Sequence, residues 1–426
     1  MSSLAALVAA APGSLVAPEG DRRAELSAPT PLALEAALDL GAGRHVAVVR
    51  DAAGDRWTVP LVLDGDGLHR ARPGDGVAAA LVARADGDDG FALRSWHLEH
   101  LTGERGVGVD QTNESVVVGE RAVVKWVVRL PDLAGTEHPA VRRLALLADA
   151  GFGAVPPTWS LLTRSGDLLS VVDEYLPGAQ DGWDWAVDDV RAFAAGDLTL
   201  AAASAPAGEL GRLTGELHLA LATGGVTRAT AEDARGWALL AFADLMEALR
   251  VVTGAPAERL AARADRIGTE LASMSDAKGS PQLDVHGDLH VGQWLRHGTP
   301  RAWRYAVTDF DGSPVAASLE RASQQPAARD VASMLASLDH VGRIVVHRTE
   351  DVDATAVRRW VTAAETTFLA AYRERAGHLL DERLLLPLRL LQECREHVYA
   401  ARHLPLWSYV PDDALADLLP DEPPED

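Results

Sequence analysis

At about residue 180 the sequence changes its periodicity, and that switch constrains the fold more than any other feature. Before it, apolar residues come in short, often β-branched runs cut by Asp/Gly turns. After it they come in long stretches rich in alanine and leucine. The runs at 45–49, 57–63 and 77–82 are separated by turns such as Gly54-Asp55 and Asp64-Gly65-Asp66-Gly67. That pattern predicts antiparallel hairpins. The stretch 31–40 predicts a helix, and the apolar start of the chain, up to Pro12-Gly13, a short amphipathic or buried element. Residues 115–118, the turn Gly119-Glu120 and residues 122–130 predict a further hairpin, 139–151 a helix ending on glycine, and 170–176 a strand stopped by Pro177-Gly178. Helices are predicted over 208–223, 230–252, 257–275, 328–339, 354–376 and 382–404. A Pro/Asp/Glu-rich tail follows from 420 and should fray.

This order predicts an α+β, bilobal chain in three parts. A small α+β cap covers 1–98, a β-rich subdomain 99–178 and an α-helical lobe 179–426. A β lobe joined to an α lobe offers a cleft for a ligand. The formal net charge of −22 opposes binding to nucleic acid or to anionic membrane surfaces, and it suits a cationic small molecule. No stretch is long and apolar enough for a membrane helix. A single cysteine, Cys394, excludes an internal disulfide and fits a cytoplasmic location. A monomer is expected.

Among 40 basic residues only Lys125 and Lys278 are lysine. Lysine carries a compact charge on a slim stem where arginine carries a planar fork. Lys278 lies in a Ser/Asp/Gly loop and reads as solvated surface. Lys125 sits inside the apolar run Ala-Val-Val-Lys-Trp-Val-Val, where a point charge needs a function.

The densest chemistry lies between 284 and 312. It reads Asp-Val-His-Gly-Asp-Leu-His-Val-Gly-Gln from Asp284, then a hairpin, then Val-Thr-Asp-Phe-Asp-Gly from Val307. The hairpin sets Asp288, Gln293 and Asp309 at adjacent strand ends. A carboxylate that orients a hydroxyl, with an amide and a second carboxylate to hold magnesium against nucleotide phosphates, is the set that phosphoryl transfer uses. Magnesium takes few protein oxygens and completes its shell with phosphate and water. Any single Gly-Asp pair is turn punctuation; the combination with an upstream strand lysine is not. A rival reading makes His286, Asp288 and His290 metal ligands of a hydrolase, by alternation on a strand.

Lys125, His286-Gly287-Asp288 with Gln293, and Asp309-Phe310-Asp311-Gly312 resemble the aminoglycoside-phosphotransferase-like kinases, small-molecule relatives of protein kinases. The segment Glu174-Tyr175-Leu176-Pro177-Gly178-Ala179-Gln180-Asp181-Gly182-Trp183-Asp184-Trp185, the stretch 211–222, Arg329-Asp330-Val331-Ala332-Ser333-Met334-Leu335 and the small cap resemble more narrowly the maltokinases and the related glucosamine kinases. The resemblance implies a bilobal protein-kinase-like fold using ATP and Mg2+. It implies that Asp288 is the catalytic base and that Gln293 and Asp309 bind magnesium, with Asp311 a second metal ligand. It implies that Lys125, Asn113, Ser115 and Asp181 serve ATP, and that Glu174, Tyr175 and Leu176 form the adenine hinge.

Two departures stand out. Gln111-Thr112-Asn113-Glu114-Ser115 replaces the Gly-rich phosphate loop of protein kinases; its N–H groups and small polar side chains can still cradle phosphate. Where maltokinases place a glutamate that pairs with the lysine, this chain has an arginine, in His138-Pro139-Ala140-Val141-Arg142-Arg143. Glu137 could substitute, or the lysine pairs only when ATP binds.

On the acceptor side maltokinases carry Tyr-Glu-Val-Arg-Tyr-Glu-Leu, and this chain carries Gln392-Glu393-Cys394-Arg395-Glu396-His397-Val398. Helical spacing sets Glu393, Glu396 and His397 on one face. Such a charge run is ordinarily a solvated face, but Leu390, Leu391, Tyr399 and Trp407 surround it. Trp407 would stack on a sugar as readily as pack in a core. With Asp288, His290 and Arg395 these residues form the expected acceptor site. Clustered carboxylates favour a cationic acceptor. The reading is an ATP-dependent kinase of an amino sugar, foremost glucosamine. Maltose is the alternative acceptor, and a catalytically weak binding module the alternative class.

Overall fold

The computed structural model describes residues 2–18, 27–107, 113–133, 135–300, 302–313, 316 and 318–420. Gln111 and Thr112 of the expected phosphate loop, and the tail beyond Pro420, lie outside the described residues. The chain forms two compact units, one of residues 1–148 with 155–178 and one of residues 149–154 with 179–426.

In chain order the first unit runs α1 (Ser2–Ala10), β1 (Ala33–Gly41), β2 (Arg44–Arg50), β3 (Arg56–Asp64), β4 (Gly67–Arg70), α2 (Val77–Val82), β5 (Phe91–Ser95), β6 (Glu104–Gly106), β7 (Glu114–Val118), β8 (Ala122–Trp126), β9 (Arg129–Leu130), α3 (Pro139–Ala150), β10 (Thr158–Arg164) and β11 (Asp167–Glu174). Strands β1 to β4 form an antiparallel meander, with β9 paired to β3; the second sheet has the order β5-β10-β11-β8-β7-β6. Leu4 and Val8 of α1 join Trp57, Val59 and Leu61 in the core beneath the first sheet.

Two expectations fail here. Residues 31–40, expected as a helix, contain β1, paired along its length with β2. The turn Gly41-Ala42-Gly43 returns the chain, and a β-branched partner strand outweighs the helical preference of Ala, Leu and Glu. Conversely 77–82, expected as a strand, is the helix α2. Its alanines favour helix, and the Glu104 carboxylate accepts from the N–H groups of Gly74, Gly76 and Ala79 at 2.8–2.9 Å. A cap supplied from 25 residues away is invisible to local pattern.

The second unit runs α4 (Gly182–Ala194), α5 (Leu200–Leu221), β12 (Thr227–Arg228), α6 (Ala231–Val251), α7 (Ala255–Ser273), β13 (Pro281–Leu283), β14 (Trp294–Thr299), β15 (Ala302–Val307), α8 (Ser318–Ala322), β16 (Gln325–Pro326), α9 (Ala328–Arg348), α10 (Ala354–Ala376), α11 (Leu385–His403) and α12 (Tyr409–Leu418). All six helices predicted beyond residue 200 are present, most with ends shifted by a few residues; α5 starts eight residues before its expected start at 208, and α9 runs well past its expected end at 339. Helix α9 is buried over most of its length. Four of its buried residues are polar, Asp330, Ser333, Ser337 and His340, at i, i+3, i+7 and i+10. They form one stripe, and the loop after β13 lies along it. No helix among the described residues is long and apolar enough to cross a membrane.

Candidate active site

A buried carboxylate needs donors, and Asp330 finds three. The N–H groups of His286 and Gly287 donate to it at 2.7 and 2.8 Å, and His218 Nε2 lies 3.0 Å away. About two helical turns further on, Ser337 Oγ accepts from Val291 N–H at 3.0 Å. The loop is therefore fixed at both ends by side chains of α9, and Asp288, Leu289 and His290 lie between the anchors. The His286 ring closes a third side: Nε2 is 2.9 Å from the Thr308 carbonyl, and Nδ1 accepts from Asp288 N–H at 3.3 Å. These partners select the tautomer protonated on Nε2. Nδ1, the atom left to take a metal, is turned onto Asp288 N–H, so the geometry gives the rival hydrolase reading no support. Among the described residues no group of three or more His, Cys, Asp or Glu is arranged to hold a metal.

Hairpin β14–β15 joins Gln293 to Asp309. Trp294 pairs with Val307, and Thr308 N–H donates to the Gln293 carbonyl at 3.0 Å. Gln293 and Asp309 thus stand at adjacent strand ends, as expected. Asp309 has φ +68°, a left-handed conformation that few non-glycine residues adopt outside turns and functional sites. Asp311 follows in the turn, half-buried. Burial raises the Asp288 carboxyl to about 6, and the nearby charges of Asp309, Glu396 and Asp330 push the same way.

His290 begins the acceptor side. Burial lowers its pKa, and its Nδ1 is buried without a hydrogen-bond partner. Its ring stacks on Trp183 at 5.6 Å and 24°. Gly182 permits that approach, because a Cβ there would stand 1.9 Å from the Val291 carbonyl oxygen. Trp407 meets Trp183 edge-on at 6.2 Å and donates its indole N–H to Glu396 Oε2 at 3.1 Å. Gln392 holds the other Glu396 oxygen at 3.1 Å. Asp181, expected on the nucleotide side, caps α4 by accepting from Trp183 N–H at 2.8 Å, and its charge acts on His290.

The rest of the expected acceptor set has other partners. Glu393 is buried against His340 Nε2 at 3.0 and 3.1 Å. Burial opposes charge on His340, but the Glu393 carboxylate outweighs it and raises the ring to about 9. Arg395 is held by Asp244 at 2.8 Å and by Glu320 at 3.0 Å. His397 is pushed down to about 4 by burial, and the charges that act on it are Asp412 and Arg259. Of the helix residues named from sequence, Glu396 is the one whose charge reaches both Asp288 and His290.

In the first unit Ser115, Lys125 and Val171 stand opposite one another across β7, β8 and β11. They share a face with Asp173, two pairs along. Thr158 Oγ1 donates to Asp173 at 2.8 Å. Burial raises Asp173 to about 7, and the Lys125 charge draws it partly back. The sequence offered Glu137, or pairing only on ATP binding, for the lysine and did not point to Asp173, whose carboxyl feels the Lys125 charge. Arg143 of α3 is buried, and Glu137 is exposed in the turn before it. Asn113 precedes β7. Glu174 is exposed, Tyr175 N–H donates to the Arg121 carbonyl at 2.8 Å, and Leu176 is half-buried.

Trp183, His218, Asp330, Ser337, His340 and Asp173 were not singled out from sequence. The polar stripe of α9 was the available signal for three of them, since buried polar residues at helical spacing mark a face that meets polar structure.

No family model matches the chain. It is 54% identical over 431 residues to a glucosamine kinase of Streptacidiphilus jiangxiensis, covering 97% of this chain and 98% of that one. It is 43% identical to a glucosamine kinase of Mycolicibacterium smegmatis, with 90% and 97% covered. A solved glucosamine kinase in complex with glucosamine, ADP and inorganic phosphate superposes with a TM-score of 0.86 at 52% identity, covering 98% of this chain and 99% of that one. With 54% identity over nearly the full length of both chains and the same fold as a solved relative, the chain belongs to the glucosamine kinase family.

Proposed function

We propose that this chain is an ATP-dependent phosphotransferase that acts on a hydroxyl of glucosamine, with Asp288 as the base. The observation that carries the acceptor reading is the group around His290: a buried ring nitrogen without a partner, two indoles, and the Glu396 carboxylate, whose charge acts on Asp288. Indole faces suit a sugar ring, and a half-buried carboxylate suits an ammonium. Maltose lacks the cation that Glu396 would meet.

The residues fit magnesium. Gln293 and Asp309 offer oxygen donors alone, with Asp311 close in sequence, and a hard cation that completes its shell on phosphate needs no fuller protein cage. Bound magnesium would neutralise phosphate charge. Asp288 accepts the hydroxyl proton and holds the oxygen in line, which its raised pKa favours near neutral pH. Glu396 and Trp407 hold the sugar, and His290 Nδ1 takes a sugar hydroxyl. Lys125, Ser115 and Asn113 serve the ATP phosphates, and Glu174, Tyr175 and Leu176 the base. ADP release measured against glucosamine, N-acetylglucosamine, glucose and maltose, with and without magnesium, tests the reading. Magnesium-dependent turnover highest on glucosamine is expected. Equal or better turnover on maltose would overturn it.

A further inference from the structure

Asp330 anchors the loop that carries Asp288, but a second layer holds Asp330. His218 on α5 lies with Nε2 3.0 Å from Asp330 Oδ2 and Nδ1 2.7 Å from the Tyr372 hydroxyl on α10. All three side chains are essentially inaccessible to water. We propose that His218 and Tyr372 are positioning residues of the kinase reaction, setting through Asp330 the placement of the His286–Gly287 backbone and hence of Asp288. This rests on the reading of Asp288 as the base.

For a neutral imidazole the chemistry of each group leaves one arrangement. A carboxylate in this setting accepts only, so His218 Nε2 must carry the proton. Nδ1 then has a lone pair that needs a donor, and the Tyr372 hydroxyl is the donor present. Burial raises the Tyr372 pKa, so it keeps its proton. Without that hydroxyl the imidazole is free to exchange tautomers, and the other one turns a lone pair toward the carboxylate. Asp330 Oδ2 would then keep one donor, His286 N–H, where it now has two. A buried oxygen deprived of a donor draws its remaining partners toward it or moves to find another.

The helix pairing is built to hold this contact. A Cβ at Gly211 would stand 2.1 Å from the Phe368 carbonyl oxygen, so α5 and α10 meet backbone to backbone there. Gly211 and His218 lie on one face of α5 at i and i+7, and Phe368 and Tyr372 on one face of α10 at i and i+4. The close approach at Gly211 brings the imidazole and the phenol within hydrogen-bonding reach, about two turns along α5 and one along α10.

The test uses the full-length enzyme and the near-isosteric Tyr372→Phe, with His218→Ala and His218→Gln beside it. Steady-state kinetics with ATP and glucosamine are measured together with backbone amide exchange and thermal midpoints. Tyr372→Phe should lower kcat by ~3- to 10-fold, the worth of one neutral hydrogen bond. Both KM values should stay within about twofold, since neither substrate touches the pair. Exchange at His286 and Gly287 should accelerate by a similar ~3- to 10-fold, while that at Val345 of α9, the helix that carries Asp330, is unchanged. His218→Gln should recover most of the turnover lost in His218→Ala, because its amide can donate where Nε2 does. Wild-type kcat and wild-type exchange at His286 and Gly287 in Tyr372→Phe, whatever its thermal midpoint, would reduce the pair to packing and overturn the proposal. The exchange result stands without Asp288 as base, so failure of that assignment would show separately, as full turnover in Asp288→Asn.

Discussion

Glu396→Gln tests the acceptor site by removing a charge while keeping the shape. In the structure each Glu396 oxygen already accepts one donor, from Gln392 Nε2 and from Trp407 Nε1, both at 3.1 Å. An ammonium would be a further donor to a carboxylate that is only half-buried, and such a charge-assisted bond contributes about 1.5–3 kcal/mol. At about 1.4 kcal/mol per factor of ten, kcat/KM for glucosamine relative to glucose should fall about 10- to 150-fold in the variant. The amide can accept one of the two present donors and must turn its own N–H toward the other, so some loss of stability accompanies the change. Trp407→Phe separates the two effects, because it removes the indole donor and leaves the charge; there the preference for the amino sugar should persist. The pH profile gives an independent reading. The Glu396 charge is one of those that raise Asp288 to about 6, and an anionic neighbour disfavours ionisation. Removing it should let Asp288 ionise at lower pH, moving the acid limb of the rate profile downward. The assay is coupled ADP release over pH 5–9 on both sugars. A glucosamine-to-glucose ratio within about threefold of wild type, with an unmoved acid limb, would refute the argument.

Asp288→Asn should lower turnover by about 10²–10⁴ and leave ATP binding nearly intact, the usual effect of losing a positioned base; single-turnover kinetics and nucleotide titration read the two separately. Asp309→Ala should abolish most of the magnesium dependence of nucleotide binding and Gln293→Ala a smaller part, since only the former removes a charge; calorimetric titration of ATP with and without magnesium decides it, and unchanged affinity in Asp309→Ala would exclude that ligand. Asp173 has a folded pKa raised to about 7, so ionisation opposes folding as pH rises from its ordinary value through 7. Asp173→Asn should therefore raise the thermal midpoint more at pH 8 than at pH 5. A shift independent of pH would contradict the burial argument.

The sequence by itself determined the division into a β-rich and a helical part, the helices beyond residue 200 and the loop-and-hairpin that brings Asp288, Gln293 and Asp309 near one another. Each of these is a local property. Period and composition set helix or strand over a dozen residues, and Asp288, Gln293 and Asp309 belong to one loop-and-hairpin whose register follows from short spacing. Lys125 was legible for a related reason, as a charge on an apolar strand in a chain nearly devoid of lysine. Tertiary structure decided the rest. Strand β1 contradicts its own propensity because pairing with β2 outweighs it, and α2 is a helix partly because Glu104 caps it from a distant strand. On α11 the sequence offered Glu393, Arg395, Glu396 and His397 as equals. The fold gives Glu393 to His340, Arg395 to Asp244 and Glu320, and buries His397 elsewhere, leaving Glu396 beside His290 and Trp407. The hydrogen-bond chain from the Asp288 loop through Asp330 and His218 to Tyr372 joins residues up to 154 positions apart. Each looks like an ordinary polar residue in a helix. Their roles exist only once close helix packing removes water and requires every buried donor and acceptor to find its partner within the protein.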